Sequence, residues 1–464
     1  MIGKQKRKGI TKWLAISILL ALVSVTTILQ AYSFLGVSTR IASTHKYIKS
    51  HITNRKQNTS MVTENASIQN DNIFKYLEVK PVKSTSTRNI FTYNIPEYNT
   101  KSVNITPKAL SNTSQKKITH IGFLKVHKAG STTMQNIFFR FGLKYNLTFV
   151  LPEKGHYFLS TKSAMPVAPG NHRDILACHS VYSRNLFGSV LPEDTVNIGI
   201  IREPLERMIS AAYYYRDVWK SPLLVKVPRL NFIHNLVNRP HLYELKPFTK
   251  TKNAMGQDFG FSPTTSINDT DYIKKHLDLL KKDFKQVLVM ERFEESLILM
   301  KRTLNWDLAD VIYLKTNSHA HQPVILTPYE LDKFKSTCFL DYAVYETFYE
   351  IFDKKIAAEG PDFINEVEHF KSVLQLVKDF CELGTRKLLK IAQSAWNEPF
   401  EVTKQDCLYM QMKELKFVEF LKRRHRELNI MYDLMKNYDR NDVLRAQRFM
   451  SKRTRPVHHM WKTI

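Results

Sequence analysis

The chain has 464 residues, enough for one large domain or two ordinary ones, and its 43% hydrophobic content excludes a chain too polar to bury a core. Lysine and arginine outnumber aspartate and glutamate by 69 to 43, which gives a formal net charge of +26 and a pI near 9.7. This balance indicates an anionic partner, whether nucleic acid, a membrane surface, or a phosphorylated or sulfated ligand.

The N-terminus favours the membrane over nucleic acid. Residues 1–12 are basic and contain no acidic side chain, and residues 13–37 carry no charge at all. A run of this length can cross a hydrocarbon core, which takes about 20 residues, and it is too long for the apolar h-region of a typical cleaved signal peptide. Because the basic flank favours a cytosolic N-terminus, we predict a cytosolic tail, a transmembrane signal-anchor over 13–37, and a lumenal remainder, as in a single-pass type II membrane protein.

Residues 38–116 are rich in Ser, Thr, Asn and Lys and show weak apolar periodicity, which predicts an extended lumenal stem. Most of the glycosylation sequons of the chain precede residue 115, as expected of an exposed segment of a glycoprotein. The sequons are at Asn58, Asn65, Asn104, Asn112, Asn146 and Asn268.

The four cysteines are compatible with an oxidising lumen but permit three pairings. They are Cys178, Cys338, Cys381 and Cys407. A disulfide between Cys381 and Cys407 is favoured because both lie in the C-terminal segment, and the alternative is that some cysteines are simply buried thiols.

Globular patterning begins at residue 117 and continues to residue 464. Apolar runs typical of buried strands alternate with helical spacing, which predicts an α/β fold with a mostly parallel sheet. The predicted strand and helix pairs are 118–126 with 131–146, 195–201 with 204–219, and 286–290 with 294–306. From about residue 361 the composition predicts a largely helical C-terminal part.

The first strand leads into "FLKVHKAGSTT", residues 123–133. A glycine and hydroxyl residues between a strand and a helix present backbone N–H groups that favour a bound phosphate. The lysines, Lys125 and Lys128, precede Gly130, whereas the G-x-x-x-x-G-K-[ST] loop of nucleotide triphosphatases has its lysine after the second glycine. The pattern therefore argues against an ordinary triphosphatase, and a turn without a ligand is the alternative.

A second phosphate-type arrangement follows the second strand. Arg202 stands at the strand end and Ser210 lies eight residues later in the predicted helix. Arginine contacts phosphate in a bidentate manner, although an arginine at a sheet edge and a serine on a helix face need bind nothing. Two such devices at successive strand ends suit a nucleotide with phosphates at both its 5′ and 3′ positions.

Two tripeptides suggest a protein kinase but lack its other elements. His172-Arg173-Asp174 spells HRD and Asp258-Phe259-Gly260 spells DFG. The kinase catalytic loop requires asparagine five residues after its aspartate, where this chain has His179, and no G-x-G-x-x-G loop is present in the sequence.

The longer motifs resemble those of Golgi carbohydrate sulfotransferases, in particular the galactose-3-O-sulfotransferase family. "FLKVHKAGSTTMQNIFFRFG" is similar to the family's 5′-phosphosulfate loop, and "IIREPLERMISAAYYY" to its 3′-phosphate-binding segment. Residues 258–261, 291–317 and 326–334 also resemble family stretches. Residues 202–216 are similar to uronosyl 2-O-sulfotransferases of glycosaminoglycan synthesis as well.

This resemblance implies a P-loop-like sulfotransferase fold and 3′-phosphoadenosine 5′-phosphosulfate as the donor. It implies a Golgi membrane enzyme that sulfates the 3-OH of galactose in glycolipids or glycoproteins, without a metal. The alternatives are a uronosyl 2-O-sulfotransferase and an inactive glycan-binding membrane protein. The implied donor-binding residues are Lys125, Lys128, Ala129, Gly130, Ser131, Thr132 and Thr133 for the phosphosulfate, and Arg202 and Ser210 for the 3′-phosphate.

Transfer to a sugar hydroxyl requires stabilisation of the charge on the leaving phosphate, a role suited to Lys128. It also requires a base that takes the hydroxyl proton near neutral pH, a role suited to histidine. His179 is the preferred base because it matches the position of a base histidine in the uronosyl 2-O-sulfotransferase pattern. His127, inside the phosphate loop, is the second candidate, and an unidentified carboxylate is the third.

Overall fold

The computed structural model describes residues 116–168, 170–315, 323–383 and 387–437. The signal-anchor over 13–37 and the stem up to residue 115 lie outside the described residues, so these predictions stay predictions. Among the helices that are described, none combines the length and the apolar character needed to cross a bilayer.

A parallel sheet forms the centre of the fold, with the strand order β2-β1-β3-β4. Its strands are β1 (Ile121–Phe123), β2 (Ile175–Leu176), β3 (Val196–Ile201) and β4 (Phe284–Val289). Phe149 adds a single parallel bridge to Ile175, which makes a fifth parallel segment beside β2. The inner strands are almost wholly buried, as expected of a parallel sheet covered on both faces by helices. The predicted α/β class is therefore confirmed.

Each of the four strands is followed along the chain by a helix. The helices of the described residues are α1 (Ser131–Lys144), α2 (Arg184–Gly188), α3 (Pro204–Tyr213), α4 (Phe232–Asn238), α5 (Pro240–Tyr243), α6 (Ala254–Asp258), α7 (Thr270–Asp283), α8 (Phe293–Leu304), α9 (Leu308–Val311), α10 (Pro328–Thr337), α11 (Phe339–Ala358), α12 (Asp362–Leu383), α13 (Lys404–Met410) and α14 (Glu414–Asn437). Short 3₁₀ turns occupy Thr161–Ser163, Leu224–Lys226 and Met290–Arg292.

The helix predicted over 204–219 is present, but it is α-helical only in its first part and π-helical in its second. Helix α3 begins at Pro204, where the fixed φ of proline suits the first helical position, and the Glu203 side chain accepts a hydrogen bond from the Glu206 backbone N–H. Beyond Tyr213 the chain continues as a π-helical turn, Tyr214–Val218. Such turns often occur at functional sites, and this one turns Tyr214 toward the phosphate loop.

The C-terminal part is largely helical but not wholly so. Strands β5 (Leu388–Ile391) and β6 (Phe400–Thr403) form an antiparallel pair that the prediction of a helical segment missed. The predicted Cys381–Cys407 disulfide is confirmed, and it ties α12 to α13. Cys178 and Cys338 are buried thiols.

Candidate active site

The loop between β1 and α1 lies at the carboxyl edge of the sheet and has an unusual backbone. Lys128 and Gly130 both adopt left-handed conformations, with φ of 63° and 71°. A Cβ at Gly130 would lie 2.2 Å from Sδ of Met290, so a larger residue would have to displace the Met290 side chain as well as adopt the left-handed backbone. The Ser131 hydroxyl donates to the Val126 carbonyl at 2.5 Å and closes the turn.

The loop leaves the start of α1 available to an anion. In the described structure, no side chain caps this N-terminus and its first turn contains no acidic residue. The first N–H groups of a helix lack intrahelical partners and carry partial positive charge, which together favour a phosphate or sulfate group. Thr132 and Thr133 are half-buried in this first turn, whereas Ala129 and Ser131 are buried.

Lys128 and Arg202, which belong to two separate sequence motifs, meet at this loop. The Nη1 atom of Arg202 donates to the Lys128 carbonyl at 3.3 Å, and Nζ of Lys128 lies 4.0 Å from the ring centroid of Tyr214. Burial, followed by the charges of Arg202 and Lys125, lowers the pKa of Lys128 to about 8. Because cations crowd this amino group, a bound anion would stabilise its charged form.

Arg202 is able to exchange its present partner for a ligand. It follows β3 directly, its side chain is 22% exposed, and its Nη2 lies 3.4 Å from Oε2 of Glu206 one helical turn away. Exposed pairs of this kind contribute only about 0.3–0.5 kcal/mol, so a phosphate could replace the carboxylate at little cost. Ser210 lies half-buried further along α3.

His127 is held by a buried carboxylate that comes from another part of the chain. Its backbone N–H donates to Oδ2 of Asp258 at 2.8 Å, and its Nδ1 lies 2.9 Å from both Asp258 oxygens. Asp258 ends helix α6 and is 2% exposed. A carboxylate at Nδ1 fixes the N–H on that nitrogen, which leaves the lone pair on Nε2.

The Nε2 side of His127 opens toward polar groups. Tyr157 places its hydroxyl 3.3 Å from Nε2, and Nζ of Lys250 lies at the same distance. The ring stacks on that of His179 with centroids 4.3 Å apart, and the side chain remains 11% exposed. His127 therefore combines a fixed tautomer, a rigid ring and some contact with solvent.

His179, the base preferred from sequence, lies beneath His127 with both ring nitrogens engaged. Its Nε2 is 2.8 Å from Nζ of Lys125, and its Nδ1 is 3.1 Å from the Lys125 carbonyl. Burial, and then the neighbouring Lys125, holds the pKa of His179 well below its usual range. The structure thus places His179 in a buried network.

Lys125 belongs to the same network and does not line the open part of the loop. It is 1% exposed, and its Nζ donates to Oε2 of Glu414 at 2.9 Å, at the start of α14. Burial lowers the pKa of Lys125 despite this carboxylate. Sequence reasoning missed Glu414, Lys250 and Tyr157 because only the folded chain brings them to the loop. Asp258 had a signal, since its DFGF stretch was one of the resembling segments.

The fold and this site define a class: α/β proteins that hold an anionic group at the carboxyl ends of parallel strands, beside a histidine–carboxylate pair. The profile of the galactose-3-O-sulfotransferase family matches residues 70–416. The chain belongs to the galactose-3-O-sulfotransferase family. The matched range includes the loop, Arg202, Asp258 and Glu414.

Relatives agree with this assignment. The chain is 30% identical over 256 residues to galactose-3-O-sulfotransferase 2 of Mus musculus, covering 52% of this chain and 64% of that protein. It is 28% identical over 340 residues to galactose-3-O-sulfotransferase 3 of the same species, covering 66% and 78%. It is also 27% identical over 272 residues to the galactosylceramide sulfotransferase of Homo sapiens, covering 56% and 64%. The matches thus span roughly two thirds of the length of these relatives.

Proposed function

We propose that this protein transfers a sulfonate group from 3′-phosphoadenosine 5′-phosphosulfate to the 3-OH of galactose in a glycolipid or glycoprotein. Family membership supports the reaction class. The names of the relatives, which include galactose and galactosylceramide, support the acceptor. The observation that carries the proposal is the position of the His127–Asp258 pair directly beside the cationic Lys128–Arg202 loop.

The residues present suit the donor. Its phosphosulfate would bind at the start of α1, to the backbone of residues 129–133 and to Lys128, and its 3′-phosphate to Arg202 and Ser210. When bound, the donor supplies an activated sulfonate and a phosphate leaving group. The Lys128 ammonium and the helix N-terminus would stabilise negative charge that develops on that phosphate.

His127 is the better candidate for the base that removes the acceptor proton. Its Nε2 carries the lone pair, because Nδ1 faces Asp258, and that nitrogen is approached by the side chains of Tyr157 and Lys250. A proton taken by Nε2 gives an imidazolium, which the adjacent Asp258 carboxylate stabilises. His179 could act only after losing its contact with Lys125 and becoming charged in a buried position.

Lys250 and Tyr157 would complete the part of the site that receives the sugar acceptor. Both approach Nε2 of His127, at 3.3 Å, and so border the space that a sugar hydroxyl must reach. Burial lowers the pKa of Lys250, and the position of its amino group beside His127 would let it donate to a sulfonate oxygen or a sugar hydroxyl. In this proposal Tyr214 covers Lys128 and excludes water from it.

The proposed setting is the Golgi membrane, with residues 13–37 as a type II signal-anchor and the catalytic part in the lumen. The uncharged run with its basic flank supports the anchor, and the Cys381–Cys407 disulfide agrees with an oxidising compartment.

The test is an acceptor screen with labelled donor on the full chain in detergent. Galactosylceramide, lactosamine-type glycans and desulfated heparan would be compared, and we expect label only on galactose-terminated acceptors. His127→Ala and His179→Ala would be assayed in parallel for turnover and for binding of 3′-phosphoadenosine 5′-phosphate. Label on heparan alone, or a wild-type chain that does not bind the nucleotide, would overturn the proposal.

A further inference from the structure

A second cluster of chemistry-bearing side chains lies at the opposite, amino edge of the sheet. His120 directly precedes β1, Asp174 directly precedes β2, and Asp194 lies two residues before β3. Because β1 pairs in parallel with both of the other strands, these residues gather at one place. His172 joins them from the segment before β2. The sulfate-transfer site uses none of them.

Three ligand-type atoms face one another here. Oδ1 of Asp174 lies 2.9 Å from Nε2 of His172 and 3.4 Å from Nε2 of His120, and a ligand atom from each residue lies within 4.8 Å of the others. Tetrahedral zinc with bonds of about 2.1 Å requires ligand atoms about 3.4 Å apart. The observed spacing brackets that value, so small side-chain adjustments suffice.

His120 and Asp174 are already oriented by hydrogen bonds to other residues. Nδ1 of His120 lies 2.6 Å from Oδ1 of Asp194, the carboxylate–histidine arrangement that fixes a metal-binding tautomer. Oδ2 of Asp174 accepts the Thr148 backbone N–H at 2.6 Å, which directs Oδ1 toward the histidines. Asp174 is 7% exposed, whereas His172 is exposed and leaves one side open.

We propose that His120, His172 and Asp174 form a zinc site, with Asp194 as the orienting carboxylate and water in the fourth position. Two imidazoles and one carboxylate suit Zn²⁺ better than Mg²⁺ or Ca²⁺, which prefer oxygen. The metal would add to the stability of the fold, since it links the segments that precede β1 and β2 at the edge opposite the phosphate loop. The proposal does not depend on the proposed function.

Without a metal, the same groups would form an ordinary histidine–carboxylate network, and zinc titration separates the two cases. The full chain, purified without a histidine tag and stripped with EDTA, would be titrated with ZnCl₂ by calorimetry and followed by thermal unfolding. His172→Ala is the main variant because an exposed side chain is removed without disturbing the core, and His241→Ala is a matched control at another exposed histidine.

We expect the wild type and His241→Ala to bind zinc and to gain thermal stability, whereas His172→Ala loses both. Asp194→Asn, which removes only the orienting charge, should weaken binding about 10- to 100-fold. MgCl₂ should stabilise none of them. Equal zinc binding and equal stabilisation in the wild type and His172→Ala would overturn the proposal, as would the absence of zinc binding by the wild type.

Discussion

Asp258 accepts two hydrogen bonds from a single residue, His127, one from its backbone N–H and one from its ring. The carboxylate therefore fixes the position of the loop and the tautomer of the ring at the same time. Since Asp258 is buried and 131 residues away in sequence, the pairing is a product of the fold. Asp258 is a positioning residue for the proposed base.

Asp258→Asn should lower kcat by about 10²–10⁴-fold, in the range that general base catalysis supplies. An asparagine amide facing Nδ1 would donate to it, so the proton would move to Nε2 and the lone pair needed for the sugar hydroxyl would be lost. The measurement is steady-state turnover with saturating donor, together with the affinity for 3′-phosphoadenosine 5′-phosphate.

Donor affinity should stay within a few-fold of wild type, because the asparagine oxygen can still accept the His127 backbone N–H that positions the loop. Asp283→Asn is the control, since that carboxylate pairs with Tyr182 and Arg184 outside the site. Unchanged turnover in Asp258→Asn would remove His127 from its assigned role.

The meeting of Lys128 with Arg202 could be predicted from sequence, whereas the surroundings of His127 could not. Lys128 and Arg202 are adjacent to strand ends, and parallel strands bring their carboxyl ends to one edge, so two local motifs were enough. The choice between His127 and His179 depends on contacts with Asp258 and Lys125 that span 131 and 54 residues. No local pattern contains that information.

Short strands were missed for a related reason. Strand β2 has two residues and β5 and β6 have four each, too few for a period to be recognised. Their pairing partners, rather than their own composition, make them strands. The HRD tripeptide shows the same limit. Only the folded chain places His120 beside His172 and Asp174, so the sequence does not reveal that the three form a cluster.

Nucleotide binding should weaken at alkaline pH, because the pKa of Lys128 is about 8 in the free protein and a bound anion raises it. Below about pH 7 the ammonium is already present and the affinity should be nearly constant. The free protein loses this proton progressively above pH 7, so the Kd for 3′-phosphoadenosine 5′-phosphate should rise about tenfold between pH 7 and pH 9. Calorimetry at pH 7, 8 and 9 measures this.

Lys128→Arg provides the matched control for that titration. Arginine stays charged throughout this range, so the rise in Kd between pH 7 and 9 should disappear even if the absolute affinity falls. A rise of the same size in Lys128→Arg would assign the pH dependence to another group.

Gly130→Ala should disrupt the phosphate loop. The new methyl group would meet Sδ of Met290 at 2.2 Å, and alanine resists a φ of 71° by about 1–2 kcal/mol. Both effects weaken nucleotide binding and lower the thermal midpoint. In Gly130→Ala/Met290→Ala the steric conflict is absent, so the double variant should recover part of the binding lost. No recovery would show that backbone conformation alone excludes alanine.

The last prediction concerns a buried ion pair that holds the segment carrying Lys250 and Asp258. Arg207 and Asp341 form an ion pair in which neither side chain is exposed, with Nη2 and Oδ2 3.0 Å apart. Arg207 also donates to the carbonyls of Lys250 and Thr251, and Asp341 accepts from the Gly256 backbone N–H. The pair thereby holds the segment that carries Lys250 and Asp258 against α3 and α11.

Arg207→Met should destabilise the fold by about 3–5 kcal/mol, because it leaves the Asp341 carboxylate buried without its partner. Arg207→Met/Asp341→Leu removes both charges and should recover much of the free energy of unfolding, measured in urea. Its turnover should remain low, since the carbonyls of Lys250 and Thr251 still lack their donor and the segment is no longer fixed. If the double variant regains stability and full activity together, the ion pair serves the fold alone and does not position Asp258.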